Sequence, residues 1–289
     1  MAQEQAKQMN LSAGLASVIV AGLLVALKLW ALGETGALSV AASLADSAMD
    51  LMVSLGAMAA IFYAARPPDD DHVFGHSSAE DLAALGQSLF ILISAGAIAW
   101  AAVVRLITAR PERLMAEGAG ITVMVISILL TLALIGWQTR VARLTGNKVV
   151  KADRLHYLGD LLPNLGAIAS LWASSRFGLV QIDAIMALAA AGMLVIGALK
   201  IGRGAWDALM DRTADPEVIE GIASLTRNWP GVYGFHDLKT RTAGSKIFVH
   251  LHIELDGTLT LREAHDIGAG LRRKILEDYP QTDVIIHKD

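Results

Sequence analysis

The stretch that decides the fold runs from residue 37 to residue 65 and reads ALSVAASLADSAMDLMVSLGAMAAIFYAA. A helix needs about 20 mostly apolar residues to cross a bilayer, and this run carries only two charged side chains, Asp46 and Asp50. It therefore predicts a membrane-spanning helix with two aspartates inside it. Because an ionisable side chain inside the bilayer is energetically unfavourable, such residues usually mark a functional site.

The composition of the whole chain supports a membrane protein. Of its 289 residues, 54% are hydrophobic and 18% are charged, which is too apolar for an ordinary soluble domain. The net charge of −4 argues against a nucleic-acid partner. No cysteine is present, so disulfides and thiolate metal ligands are excluded, and imidazole and carboxylate groups remain for any metal chemistry.

Six apolar segments are long enough to span a membrane, at residues 10–32, 37–65, 80–108, 116–143, 154–176 and 179–209. The apolar composition ends near Leu209. We therefore predict an all-α membrane domain of six transmembrane helices over residues 1–209 and a smaller aqueous domain over residues 210–289. No cleavage site precedes the first apolar run, so we expect the first helix to be retained.

The charge of the connecting loops predicts the orientation in the membrane. Cytoplasmic loops carry an excess of lysine and arginine, and the loop between the fourth and fifth segments is strongly basic, whereas the first connection, GETG, has no basic residue. We therefore expect the basic loop, and with six spans both termini, in the cytoplasm. Arg110 and Arg113 in the third loop do not fit this orientation. The basic loop contains Arg140, Arg143, Lys148, Lys151 and Arg154.

The segment after the sixth span alternates between helix and strand patterns. Asp215-Pro216-Glu217 is typical of a helix start. The runs VYGFHDLKTRT and KIFVHLHIELD predict two strands joined by the hairpin sequence AGS. LREAHDIGAGLRRKILEDY and DVIIHKD predict a second helix and a third strand. The order αββαβ indicates a compact α+β domain, similar to the ferredoxin-like fold of metallochaperones, with its helices on one face of a small sheet.

Two spans carry paired ligand candidates. Asp46 and Asp50 lie one turn apart on one helix face, and His156 and Asp160 have the same spacing in the fifth span. If the two helices converge, three carboxylates and one imidazole give a four-coordinate site for Zn²⁺ or a similar divalent ion. The alternative is that these groups pair with one another or with Lys28 in the first span, or lie at helix ends in headgroup water. Without a metal three carboxylates would repel one another, which favours the metal site.

A histidine ligand also suggests how binding and release of an ion at this site could be driven by protons. An imidazole has an unperturbed pKa of about 6.5, and a metal ion binds only its neutral form, so capture of the ion releases protons and protonation favours release of the ion. Proton coupling is therefore a hypothesis for this chain.

Most of the remaining histidines fall into two further clusters. His72 and His76 are four residues apart in a loop that also offers Asp69 as an oxygen ligand, although a solvated acidic loop with incidental histidines would look the same. In the C-terminal domain, strand alternation places His250 and His252 on one face. Surface or structural histidines are the alternative here, and we interpret His250 as structural. The other candidates in this domain are His236 on the partner strand, His265 on the second helix, and His287 with Asp289 at the end of the last strand.

Several motifs in order resemble the bacterial cation diffusion facilitators. The motifs are LADSAMD in the second span, DDDHVFGH followed by AEDLAALGQSLF, LHYLGD followed by Asn164, and FHDLKTR and VIIHKD in the tail. They are most similar to the zinc/proton antiporters that were also described as ferrous-iron efflux proteins. The resemblance covers almost the whole chain.

The resemblance implies three metal sites, a homodimer in the bacterial inner membrane, and export of the ion by alternating access against inward proton flow. Zn²⁺ is then both the transported substrate and a regulatory ion that brings the two cytoplasmic domains together. The intramembrane site matches Asp46, Asp50, His156 and Asp160, the loop site matches Asp69, His72 and His76, and the binuclear cytoplasmic site matches His236, His252, His265, His287 and Asp289.

One departure from the family pattern concerns the dimer. Some relatives have a lysine two residues after the loop histidine that pairs with an aspartate of the other subunit below the sixth span. This sequence has Ser78 there, while Asp211 stands at the aspartate position. We therefore expect that this inter-subunit pair does not form.

The prediction is a zinc exporter, and other functions remain as alternatives. An exporter of Fe²⁺, Cd²⁺ or Mn²⁺ would use overlapping ligands. A metal channel would need weaker, repeated sites along a water-filled path. A membrane metalloenzyme would need a nucleophile or a base beside the metal, and because the sequence offers neither, we expect no enzymatic activity.

Overall fold

Long helices form the first two-thirds of the chain. The computed structural model describes residues 2–35, 38–108, 118–161 and 182–289. Arg110, Arg113 and Asn164 lie outside the described residues, as does the predicted fifth span beyond residue 161. The helices are α1 (Ala2–Thr35), α2 (Leu38–Ala64), α3 (Ser78–Thr108), α4 (Gly118–Thr145), α5 (148–161) and α6 (Ile182–Leu209).

Five helices in the described ranges, α1 to α4 and α6, are long and apolar enough to cross a membrane. Together with the C-terminal domain they confirm the predicted fold class, a helical membrane region followed by an α+β domain. α1 begins at Ala2 rather than near residue 10. The polar residues before the first apolar run contain no proline or glycine, so they continue the helix beyond the apolar segment.

The described part of α5 lies between two groups of packed helices. α1 packs against α2 and α4, and α3 packs against α6. Val149 and Val150 of α5 are buried with residues of α1, α2 and α4, whereas Leu155 is buried with residues of α3 and α6. A Cβ atom at Gly197 of α6 would lie 2.8 Å from Leu155 Cδ2, so a small residue there permits the close approach of the two helices. This packing positions the ligand candidates of α5.

The C-terminal domain has the predicted order of elements. It consists of α7 (Pro216–Arg227), β1 (Gly234–Ala243), β2 (Lys246–Glu254), α8 (Leu261–Asp278) and β3 (Thr282–Lys288). β1 pairs antiparallel with β2, and β2 pairs parallel with β3. The Asp215 side chain accepts a hydrogen bond from the Glu217 backbone and begins α7, and Thr260 and Glu263 form a capping box at the start of α8.

The two faces of the three-stranded sheet have different roles. Val249, Leu251 and Ile253 alternate along β2 and are buried with Leu271 and Ile275 of α8. α8 therefore covers this face, which we call the core face. Residues between them in the strand point to the other face, here called the ligand face because the strand histidines lie on it.

A buried carboxylate connects the C-terminal domain to the transmembrane helices. Asp81, near the start of α3, is fully buried. Its Oδ2 accepts a hydrogen bond from the Gly244 backbone in the β1–β2 turn at 2.5 Å, and its Oδ1 accepts one from Lys148 Nζ of α5 at 2.6 Å. Gly244 has φ +56°, and an added Cβ would lie 2.3 Å from the Ser77 carbonyl oxygen. Only glycine fits this turn without strain.

Asp211, the aspartate of the pair discussed above, has a partner within its own chain. Its Oδ1 accepts a hydrogen bond from Arg241 Nη1 at 3.2 Å. Ser78 begins α3 and has no charge to offer a second subunit. The expectation that the inter-subunit pair does not form remains a prediction.

Candidate metal centres

Among the described residues, three groups of aspartate and histidine side chains are close enough to hold a metal ion. Each member offers one ligand atom within 4.8 Å of the others in its group. All nine residues were predicted as ligands from the sequence. The three other predicted ligands, which are not members of these groups, are Asp46, His265 and His287. The groups are Asp50, His156 and Asp160; Asp69, His72 and His76; and His236, His252 and Asp289.

The first group joins α2 to α5 inside the membrane region. His156 Nε2 lies 3.3 Å from Asp50 Oδ1 and 3.8 Å from Asp160 Oδ2. The His156 side chain is buried, whereas Asp160 is partly exposed. Two carboxylates and an imidazole that meet at such distances offer hard oxygen and borderline nitrogen ligands for a divalent cation.

Asp46 lies one turn before Asp50 on α2, but the structure does not bring it into this group. Its side chain is exposed. Lys28, the alternative partner predicted from the sequence, donates a hydrogen bond from Nζ to Ser47 Oγ at 2.6 Å. The positive charge of Lys28 therefore lies beside the same stretch of α2 that carries the two aspartates.

A buried hydrogen-bond network holds α5 beside the intramembrane group, and sequence reasoning missed it. Asp153 Oδ2 accepts hydrogen bonds from Ser17 Oγ at 2.5 Å and from Gln138 Nε2 at 2.7 Å. The hydroxyl groups of Tyr157 and Ser54 are 2.8 Å apart. The sequence feature that could have indicated the network is Asp153, an aspartate three residues before His156. It lies in the loop whose basic residues alone were used, to predict the orientation. Such networks fix the orientation of metal ligands.

The second group lies in the loop between α2 and α3. Asp69 Oδ1 is 3.2 Å from His72 Nδ1, and Asp69 Oδ2 is 3.2 Å from His76 Nε2. The His72 backbone donates to Asp69 Oδ1 at 2.7 Å, and this hydrogen bond is the main cause that lowers the pKa of the Asp69 carboxyl group. Gly75, with φ +87°, shapes the turn between the two histidines.

The same loop contacts the C-terminal domain. The ring of Phe74 packs edge-on against Phe248 of β2, with 5.6 Å between centroids. The Arg241 guanidinium lies over the Phe248 ring at 4.3 Å. The loop that carries the second group is therefore in packing contact with the sheet that carries the third group.

The third group is a row of histidines across the sheet. His236 of β1 is paired with His252 of β2, which is paired with His287 of β3. The rings of His236 and His252 are 5.0 Å apart, and those of His252 and His287 are 4.7 Å apart. Because paired residues in neighbouring strands point to the same face, the backbone register brings the three imidazoles together.

Asp289 joins the three histidines of this row. Its Oδ2 is 3.0 Å from His252 Nδ1 and 3.2 Å from His236 Nε2, and its Oδ1 is 3.1 Å from His287 Nε2. The hydrogen bond with His252 is the main cause that lowers the pKa of the Asp289 carboxyl group. The Asp289 backbone donates to the Ile253 carbonyl at 2.9 Å, so the sheet holds the carboxylate in place. One carboxylate shared by three imidazoles suits one or two divalent ions.

The structure separates the remaining two histidines of the domain from this row. His265 is exposed on α8, a helix that packs on the core face of the sheet, and it is not part of the group formed by the described residues. His250 is exposed on β2 and lies opposite Lys239.

Comparisons with known proteins agree with this architecture. The family model of the cation efflux transmembrane domain matches residues 14–210, and that of the cytoplasmic domain of cation efflux proteins, a dimerisation-domain model, matches residues 214–289. The cation-efflux pump FieF of Cronobacter sakazakii is 40% identical over 277 residues, which cover 96% of this chain and 91% of the relative. FieF of Yersinia enterocolitica is 38% identical over 278 residues, which cover 96% of this chain and 92% of the relative.

Two solved structures match about a quarter of this chain each. The metal-bound C-terminal domain of the CzcD transporter from Thermotoga maritima is 27% identical, with a TM-score of 0.25, and the match covers 25% of this chain and 86% of that one. The zinc form of the putative zinc transporter CzrB is 30% identical, with a TM-score of 0.26, and covers 27% and 91%.

The two family models together cover nearly the whole chain, and the relatives match along nearly their full length. The predicted family is therefore confirmed, and so is the prediction that the chain is not an enzyme. The protein belongs to the cation diffusion facilitator family and is a multi-pass membrane transporter for the efflux of divalent metal cations.

Proposed function

We propose that this transporter exports Zn²⁺ in exchange for protons by alternating access. The proposed transport site consists of Asp46, Asp50, His156 and Asp160. The observation that carries the proposal is the convergence of Asp50, His156 and Asp160 from two helices in the membrane region. We propose that Asp46, one turn away on α2, turns toward the group when the ion binds and completes a four-coordinate site.

The donor set favours Zn²⁺ over larger or harder cations. Mg²⁺ and Ca²⁺ prefer six or more oxygen ligands, whereas a site with three carboxylates and an imidazole suits a tetrahedral ion of borderline softness. Fe²⁺, Cd²⁺ and Mn²⁺ accept overlapping ligands, so the selectivity for Zn²⁺ within the family is part of the proposal.

The proton coupling in the proposal rests on the chemistry of the ligands. A metal ion binds neutral imidazole and ionised carboxylates, so protons leave the site when the ion enters and displace the ion when they return. In the empty transporter, protons on His156 and the aspartates would remove the repulsion between the carboxylates. Exchange of one ion against protons would then avoid an uncompensated charge cluster in the bilayer.

The proposal assigns separate roles to the two other groups. We propose that the loop group of Asp69, His72 and His76 binds the ion peripherally. The cytoplasmic site of His236, His252, His287 and Asp289, with His265 as a further ligand, binds regulatory Zn²⁺ and brings two cytoplasmic domains together in a homodimer. His265 lies apart from the histidine row within one chain, so in this proposal it joins the site when the ion binds. The transport domain is residues 1–209 and the cytoplasmic domain residues 210–289, in a bacterial inner membrane with both termini in the cytoplasm.

Reconstituted transport of several metals tests the site assignment. Purified protein in liposomes with a metal-sensitive dye inside should take up Zn²⁺ faster than Mn²⁺. Asp50→Asn, which keeps the side-chain size but removes the charge, should abolish uptake. Asp266→Asn replaces an exposed aspartate on α8 and should leave uptake unchanged. Undiminished Zn²⁺ uptake by Asp50→Asn would overturn the assignment.

A further inference from the structure

A basic cavity lies between the end of α4, the start of α5 and the second half of α6. Its volume is about 590 Å³. The cavity is at the end of the helices that faces the C-terminal domain, because α4 ends at Thr145 and α6 ends at Leu209, next to that domain. No acidic residue is among its lining residues, all of which are described. The basic residues that line it are Arg143, Lys148, Lys151, Arg154 and Lys200.

Most of this positive charge has no counter-charge in the part of the chain that the structure describes. Lys148 pairs with Asp81, but no ion pair to a described residue is found for Arg143, Lys151, Arg154 or Lys200. Lys148, Arg154 and Lys200 all lie within electrostatic range of Lys151. Like charges in a partly enclosed space repel one another, so a bound anion would stabilise this arrangement.

Arg154 gives a second, independent indication of a ligand. Its Nε is buried and has no hydrogen-bond partner among the described residues. Its Nη1 lies 3.5 Å from Thr139 Oγ1, which is at the limit of a hydrogen bond. A buried N–H group that lacks an acceptor is unfavourable, and the planar donors of a guanidinium match the oxygens of a phosphate group.

The remaining wall of the cavity is apolar. Ala142, Leu155 and Ile201 line it between the basic side chains. Leu144 and Leu199, each next to a basic lining residue in the sequence, are exposed on the helix surface, where a transmembrane helix meets lipid. Cations beside an apolar wall at the end of membrane helices match an amphiphilic anion rather than a small soluble one.

The charge of the cavity also excludes it as an entry path for the transported ion. Several uncompensated cations repel a divalent metal ion at short range. The cavity therefore has a use separate from the path to Asp50, His156 and Asp160.

We propose that this cavity binds the phosphate headgroup of an anionic phospholipid from the membrane leaflet on the side of the C-terminal domain. The phosphate contacts Lys151, Arg154 and Lys200, and the start of the acyl chains lies along Leu155 and Ile201. The lipid thereby joins α4, α5 and α6. Because His156 follows Leu155 directly, an occupied cavity also fixes the part of α5 that carries the intramembrane group.

Lipid binding to the full-length protein in detergent tests the proposal. Delipidated protein is titrated with dioleoylphosphatidylglycerol or with zwitterionic dioleoylphosphatidylcholine, and bound lipid is counted by native mass spectrometry while the thermal midpoint is followed. We expect the anionic lipid to bind and to raise the midpoint, and the zwitterionic lipid to do neither. Lys151→Gln with Lys200→Gln should weaken binding of the anionic lipid by about five-fold for each lysine removed.

Two matched variants control for charge and folding. The double variant Arg140→Gln/Arg203→Gln removes two exposed basic residues of α4 and α6 that do not line the cavity. Its binding of the anionic lipid should stay within about two-fold of wild type. Lys151→Arg with Lys200→Arg keeps the charge and should retain binding. Equal losses in the Arg140/Arg203 and Lys151/Lys200 glutamine variants would overturn the proposal.

A further arm separates a lipid headgroup from free phosphate. Inorganic phosphate at millimolar concentration should raise the thermal midpoint much less than the anionic lipid, because it gains no contact with the apolar wall. If phosphate alone gives the full shift and displaces the lipid, the cavity is a site for free phosphate and the lipid assignment is wrong.

Discussion

The intramembrane group and the histidine row of the cytoplasmic domain use the same kinds of ligand but are held in different ways. Asp50 comes from α2 and His156 and Asp160 come from α5, so the packing of two helices sets their distances. The row places its histidines on paired positions of three strands. Helices can shift against each other without breaking backbone hydrogen bonds, whereas strands in register cannot. The first arrangement suits an ion that must be released, and the second suits an ion that stays.

The largest difference between the two regions is expected in transport. His156→Ala removes the only imidazole of the proposed transport site and should lower Zn²⁺ uptake by more than about 100-fold, since even indirect support of a ligand is worth 10- to 100-fold. His250→Ala replaces an exposed histidine on β2 outside the row and should retain full uptake. Uptake in proteoliposomes measures both. Equal activity of the two variants would contradict the role of the intramembrane group.

The second prediction concerns metal retention at the row. Asp289 contacts all three histidines, so Asp289→Asn should lower the affinity of the cytoplasmic domain for Zn²⁺ by about 10- to 100-fold. Zn²⁺ uptake should fall much less than in His156→Ala, because the transport site is unchanged. Metal content after dialysis of the full-length protein measures retention. Asp283→Asn, an exposed change in β3, serves as the control. Unchanged retention in Asp289→Asn would contradict the role of Asp289 in holding metal at the row.

The third prediction concerns the packing that positions α5. Asp153→Ala removes the carboxylate that accepts two buried hydrogen bonds, from Ser17 and Gln138, and should lower the free energy of unfolding by about 1–3 kcal/mol. The thermal midpoint in detergent should fall, whereas Asp266→Ala should leave it unchanged. A midpoint that stays constant in Asp153→Ala would show that this network does not hold the helix.

The smallest effect is expected where the β1–β2 turn of the C-terminal domain contacts the start of α3. Gly244→Ala adds a Cβ close to the Ser77 carbonyl and strains a residue with φ +56°, so it should destabilise the docked hairpin by about 1 kcal/mol. Hydrogen exchange should become faster in the β1–β2 turn while the helix cores stay protected. Gly257→Ala lies in an open turn of the same domain, where the added Cβ meets nothing within 4 Å, and should change nothing. Equal exchange in both variants would contradict the docking role of Gly244.

The sequence predicts the histidine row better than the intramembrane group, for a physical reason. Strand alternation and a short hairpin determine which residues share a face, so the local pattern places His250 and His252 on one face with His236 on the partner strand. The family resemblance, and not the pattern, selects His252 over His250 as the ligand. The spacing of Asp46 and Asp50 places both on one face of a helix, but it does not determine how that helix is rotated toward its neighbour. The structure brings Asp50 to His156 and leaves Asp46 outside the group.

Contacts between distant parts of the chain were not predictable from local patterns. Asp81 lies in the first turn of an apolar helix, and nothing in its neighbourhood indicates that Gly244, in another domain, donates to it. In the sequence, the positive charges of Lys148, Lys151 and Arg154 indicated only which side of the membrane their loop lies on. Only the fold shows that Lys148 pairs with Asp81 while Lys151 and Arg154 line a cavity.

The central claim is that Zn²⁺ leaves through the intramembrane group in exchange for protons, and an imposed pH gradient tests it most directly. Proteoliposomes with an acidic lumen should take up external Zn²⁺ faster than those without a gradient, and a pH-sensitive dye inside should report alkalinisation as the ion enters. Asp50→Asn should show neither signal. Zn²⁺ uptake by the wild type that is equally fast with and without the gradient, and that leaves the luminal pH unchanged, would contradict the account.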